Sequence, residues 1–120
     1  MNRIASFSLA GLLALASPAF AHARLETAIP TVGGTVASSP VELRLHFSEG
    51  VEPHFSGVTL TDASGGAVAL GKPAVDPADK SILVMPVAAP LKPGVYTVTW
   101  HAVSVDTHKT QGTYSFTVAP

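Results

Sequence analysis

The sequence predicts an all-β fold, an antiparallel sandwich or small barrel of about seven strands. Apolar and polar residues alternate in several short runs, as in strands with one buried face. Clusters of Gly, Pro, Asp and Ser separate those runs, and no stretch of useful length repeats apolar residues at the helical period.

Taken in order, residues 24–29 supply a short candidate strand, closed by the TVGG turn signal at 31–34. After SSP at 38–40, Val41, Leu43, Leu45 and Phe47 alternate with Glu42, Arg44 and His46. Val58 and Leu60 alternate with Thr59 and Thr61, and DASGG at 62–66 turns the chain toward a short candidate at 67–70. KPAVDPADK at 72–80 reads as a turn, so 62–80 is the longest irregular stretch. Ser81 to Val87 (SILVMPV) is nearly all apolar and reads as a strand buried on both faces, with Pro86 limiting its pairing. APLKPG at 89–94 precedes the last two runs, in which Tyr96, Val98 and Trp100, then Tyr114, Phe116 and Val118, alternate with polar residues. This places Tyr96, Trp100, Tyr114 and Phe116 in the core. There is no internal repeat and no interdomain linker.

The first 21 residues read as a secretory signal. Arg3 gives a basic start, Ile4 to Ala16 is mostly apolar, Pro18 interrupts the run, and Ala19-Phe20-Ala21 is a small-x-small cleavage pattern. The run is short for a membrane-spanning helix, which needs ~20 apolar residues. The expected domain is residues 22–120, exported and not inserted in the membrane after cleavage. Seven Lys/Arg against eight Asp/Glu give the whole chain a net charge of −1, with no basic cluster to neutralise phosphates or an anionic membrane surface. Nucleic acid is therefore excluded as a partner. Cysteine is absent, which excludes disulfides, thiolate metal sites and a cysteine nucleophile.

Cleavage after Ala21 makes His22 the terminal residue. Its α-amine and ring Nδ1 can close a six-membered chelate on one metal, and Cu²⁺ prefers such tetragonal nitrogen and oxygen donors. The alternative is that cleavage exposes a histidine by chance. In VSVDTHKTQG (103–112), Asp106 and His108 are one residue apart and can present an oxygen and a nitrogen to one side. Here the alternative is an aspartate shaping a turn beside a solvated histidine. Together the amine, His22, His108 and Asp106 form an N,N,N,O set, the donor type and number that a square Cu²⁺ plane takes. The expectation is that the β scaffold holds Asp106 and His108, while the metal orders the N-terminal segment. His46 and His101 lie on the polar phase of strands and read as solvated; His54 reads as a weak loop ligand at most.

With these residues in place, the chain resembles the CopC family of periplasmic copper-resistance and copper-uptake proteins. The resemblance rests on His22, LRLHFSEGVEPHFSGVTL (43–60), PGVYTVTWHAVSVDTH (93–108) and GTYSFTV (112–118), with a distinctive W-x-x-x-S-x-D-x-H pattern. It implies a small Greek-key β-barrel or sandwich, immunoglobulin-like, holding one Cu(II) ion near the mature N-terminus. By position it implies His22, Asp106 and His108 as ligands, with Glu49 as an axial or neighbouring partner. It also implies a copper storage, delivery or resistance role in the periplasm, beside a CopD-like inner-membrane protein. Some members carry a methionine-rich Cu(I) site. Only Met1 and Met85 occur here, Met85 in an apolar strand, so no Cu(I) site is expected. Two other readings stay open: a small copper monooxygenase-like enzyme with a terminal-histidine chelate, and a metal-free immunoglobulin-like interaction module. Hydrolysis lacks support, since no nucleophile elbow or HExxH occurs.

Overall fold

The computed structural model describes residues 22–120, and the expected export signal at 1–21 lies outside the described residues. Among the described residues there are nine strands: β1 (Leu25–Ile29), β2 (Thr35–Val36), β3 (Glu42–Phe47), β4 (Gly57–Thr61), β5 (Ala67–Val68), β6 (Ala74–Asp76), β7 (Asp79–Pro86), β8 (Gly94–Val103) and β9 (Lys109–Val118). They form two sheets, a four-stranded one in the order β1-β3-β7-β6 and a five-stranded one in the order β2-β9-β8-β4-β5. The expected β-sandwich is therefore the fold. Among the described residues no helix is long and apolar enough to cross a membrane.

Two of the added strands are short edges that the sequence hides. β2 pairs with β9 through two residues only, and in parallel rather than antiparallel fashion. β6 forms inside the KPAVDPADK segment and pairs with β7, with an irregularity at Asp76. An ion pair steadies this edge, Arg44 Nη2 lying 2.5 Å from Asp76 Oδ2.

The core follows the period of two. Leu43, Leu45 and Phe47 of β3, Leu83 and Met85 of β7, Tyr96, Val98, Trp100 and Ala102 of β8, and Tyr114, Phe116 and Val118 of β9 are buried together. Full burial of each large apolar side chain contributes roughly 1.5–3 kcal/mol. The sheets meet where Trp100 packs edge-on against Phe47, ring centroids 5.1 Å apart. Tyr96 stacks on Phe116, and its hydroxyl donates to the Lys92 carbonyl at 2.6 Å, the tyrosine-corner arrangement of immunoglobulin-like sandwiches.

Two expectations are corrected. Val41 is not a core residue: it precedes β3 and is 82 % exposed. Its carbonyl accepts from the Val87 amide, so only its backbone serves the fold. SILVMPV is not buried on both faces, because only Leu83 and Met85 are fully covered while their neighbours stay half-exposed.

The longest pairing, β8 with β9, runs ten residue pairs from Gly94↔Val118 to Val103↔Lys109. It delivers the connection 104–108 to the end of the sandwich where β1 begins and β3 finishes.

Candidate metal centre

Three segments meet at that end. The connection 104–108 is tied to the loop after β3 by Val105 N–H donating to the Gly50 carbonyl (3.1 Å) and Glu52 N–H donating to Val103 (2.8 Å). A β-bridge between Val51 and Ser104 reinforces the contact. The third segment is the arm His22–Arg24 ahead of β1. The Ser48 hydroxyl accepts from Arg24 N–H at 2.9 Å and donates to the His22 carbonyl at 3.0 Å. Ser48 N–H donates to the Arg24 carbonyl at 2.8 Å. From the other sheet, the Thr110 hydroxyl donates to the Ala23 carbonyl at 2.8 Å. Ala23 itself is 0 % exposed. The arm is thus held against both sheets by the chain's own hydrogen bonds. No local sequence signal marks Ser48 or Thr110, which lie 26 and 87 residues from the carbonyls they hold.

The connection 104–108 folds on itself. Ser104 N–H donates to the His108 carbonyl (2.9 Å) and Thr107 N–H to the Ser104 carbonyl (2.8 Å). Thr107 takes a left-handed φ of 72°, a conformation that L side chains rarely adopt. The Ser104 hydroxyl, 0 % exposed, donates to Asp106 Oδ1, while His108 N–H donates to the same hydroxyl at 3.2 Å. Ser104 does most to hold the Asp106 carboxyl down to about 2, with His108 adding to it. Asp106 is therefore a ready anion at neutral pH. The S-x-D-x-H spacing contained this serine, although the spacing alone gave it no role.

The expected site residues fall as follows. Asp106 Oδ1 lies 3.2 Å from His108 Nδ1. The His22 and His108 rings meet edge to face, centroids 5.0 Å apart. Glu49 sits in the adjoining loop after β3, and its buried Oε1 has no hydrogen-bond partner among the described residues. A buried acceptor without a donor is costly, and a cation or an N–H donor would relieve it. Among the described residues no three His, Asp or Glu side chains already converge on a single metal position. Asp106 is turned toward Ser104 and His108.

The other histidines lie elsewhere. His46 Nε2 is 3.7 Å from Asp79 Oδ2 on the outer face of the four-stranded sheet. His101 is exposed opposite Gly57, where a Cβ would come within 2.9 Å of its ring. His54 is exposed in the loop before β4. Met85, the one methionine among the described residues, is 1 % exposed in the core, on β7 opposite Leu43.

The family model described as the CopC domain matches residues 25–119. Protein YobA of Escherichia coli (strain K12) is 42% identical over 99 residues, covering 82% of this chain and 80% of that protein. The crystal structure of CopC from Methylosinus trichosporium OB3b is similar at a TM-score of 0.77 and 32% identity, over 82% of this chain and 95% of that one. That of PcoC, a methionine-rich copper resistance protein from Escherichia coli, gives a TM-score of 0.73 and 40% identity, over 82% of this chain and 99% of that one. The chain belongs to the CopC family, together with relatives named copper resistance protein C in Escherichia coli and Pseudomonas syringae.

Proposed function

We propose that this protein is exported to the periplasm, is cut after Ala21, and binds one Cu(II) ion for storage, delivery or resistance. The donors are the His22 amine and Nδ1, a His108 ring nitrogen and an Asp106 carboxylate oxygen, an N,N,N,O set suited to a tetragonal cupric ion. Glu49 supplies an axial or neighbouring oxygen from the adjoining loop. The observation that carries this reading is the docking of the arm beside the 104–108 connection, which sets the His22 and His108 rings 5.0 Å apart. Copper is cargo here, and the protein's contribution is to hold the donors in reach. Its acceptor is a CopD-like inner-membrane protein. With one buried methionine, this chain lacks the thioethers that select Cu(I), unlike the relative described as methionine-rich.

Nitrogen donors must shed protons to bind, so affinity falls as pH falls. The test is Cu(II) titration of the exported, processed protein, read by electron paramagnetic resonance. A single site with nitrogen hyperfine structure is expected. One extra residue ahead of His22 turns its amine into a peptide nitrogen, which ends the amine–Nδ1 chelate and should remove most of the affinity. Equal affinity in that extended chain would refute the role of His22.

A further inference from the structure

We propose that Ser48 and Thr110 are positioning residues for copper capture, fixing the N-terminal arm without touching the metal; this rests on the reading of His22 as a ligand. The two side chains come from different sheets: Ser48 follows β3 and Thr110 belongs to β9. Ser48 closes a two-way clamp, accepting from Arg24 N–H and donating to the His22 carbonyl. Thr110 hooks the carbonyl between them, that of Ala23. Ala23, 0 % exposed, belongs to the hydrophobic core.

Every one of these contacts is made through the His22 carbonyl or through residues beyond it. The clamp therefore fixes where the His22 Cα sits, and with it the start of both chelate arms, while spending neither the amine nor the ring. A loose arm would have to be ordered on binding, and that entropy would be subtracted from copper affinity. Preorganisation removes the subtraction before the ion arrives.

The experiment uses the exported, processed protein, with Ser48→Ala and Thr110→Val made alone and together. Each substitution deletes hydroxyl hydrogen bonds and should weaken Cu(II) affinity about three- to tenfold, the range a net hydrogen bond supports. The resonance spectrum of the copper-saturated variants should keep the parental donor set. Ser48→Thr, which retains the hydroxyl, should restore affinity. The Arg24 amide should exchange hydrogen faster in the Ser48→Ala protein without copper, an independent report of arm release. The same substitutions are then placed in the chain with one extra residue ahead of His22, where they should cost nothing. Unchanged affinity in the processed variants overturns the proposal, as does an equal loss in both backgrounds, which would mark a general structural effect. If the extended chain itself binds as tightly as the processed one, the His22 reading fails first and the proposal falls with it.

Discussion

Gly112 faces Trp100 across the β8–β9 pairing, and the indole lies over the space where a side chain would be. A Cβ built at Gly112 would stand 2.6 Å from Trp100 Cζ2, 2.8 Å from Cε2 and 2.9 Å from Nε1, against 3.4–4 Å for ordinary contact. The ring would have to retreat by roughly 1 Å, into a core packed at crystal-like density. Phe47, edge-on with its centroid 5.1 Å away, fixes the indole from the opposite sheet. Overpacking of this kind costs about 1–3 kcal/mol. Replacing a mid-strand glycine would otherwise gain about 0.5–1 kcal/mol. The clash outweighs that gain, so Gly112→Ala should destabilise by about 1–2 kcal/mol, a Tm lower by roughly 5–15 °C for a domain of this size.

Urea denaturation of the copper-free protein should show the midpoint falling with the slope unchanged, the sign of lost stability rather than an altered end state. The decisive comparison is a double-mutant cycle with Trp100→Phe. That substitution is costly alone because it leaves a cavity. In its background the atoms that Gly112→Ala strikes are gone, so the alanine should become neutral or favourable, with a coupling of at least ~1 kcal/mol. A single Gly112→Ala variant as stable as the parent, or additive behaviour in the cycle, would refute the packing argument.

Three other outcomes are expected. Thr107→Gly relieves a left-handed β-branched residue costing ~1–2 kcal/mol and gives back about 0.5–1 in unfolded-chain entropy, so thermal melting should show a small net gain. Met85→Leu conserves core volume and should cost less than about 1.5 kcal/mol in urea while leaving the Cu(II) titration unchanged; lost copper binding would refute the reading of Met85 as core filler. Asp62, Asp76 and Asp79 are held below the usual carboxylate range by the Ser64 hydroxyl, the Arg44 guanidinium and the Ser81 hydroxyl respectively. The folded chain releases protons that the unfolded chain keeps, so their stabilisation is present above about pH 4 and is lost as pH falls through the depressed folded values. Stability measured between pH 5 and 2 should fall with acid, and less steeply in Asp62→Ala; an unchanged slope would contradict the role of the Asp62 turn.

The long strands were legible because their side chains obey one rule. Trp100, Tyr96, Tyr114 and Phe116 each stand two residues from another buried residue, and the period of two assigns them to one face. The rule fails at boundaries and edges. Val41 continues the alternation of β3 in sequence, yet the pairing ends at Glu42 and the side chain turns to solvent. β6 was masked by Pro73 and Pro77, which signal turns; it pairs with β7, and its Asp76 accepts from Arg44 of β3. The 104–108 connection was legible as a pair of donors, since Asp106 and His108 are close in sequence as well as in space. The arm's anchors were not. A hydrogen bond from Thr110 to Ala23 depends on which strands the topology places side by side, and no window of sequence contains both.

At the metal end the chain separates two tasks that a flexible peptide would have to perform at once. The backbone task falls to the chain's own hydrogen bonds: the arm is pinned to both sheets, and 104–108 is closed by Ser104. The side-chain task is left to the donors, with Asp106 turned toward Ser104 and His108, and Glu49 Oε1 buried without a hydrogen-bond partner among the described residues. On the proposed reading an incoming cation would exchange those local contacts for its own, through torsions about side-chain bonds that cost little compared with ordering a chain terminus. It would replace a serine hydroxyl and an imidazole at Asp106 by a stronger electrostatic partner, and bring positive charge to the buried Glu49 carboxylate oxygen. Such a site can take up and yield its ion without unfolding any strand, as storage and hand-over of a metal both require.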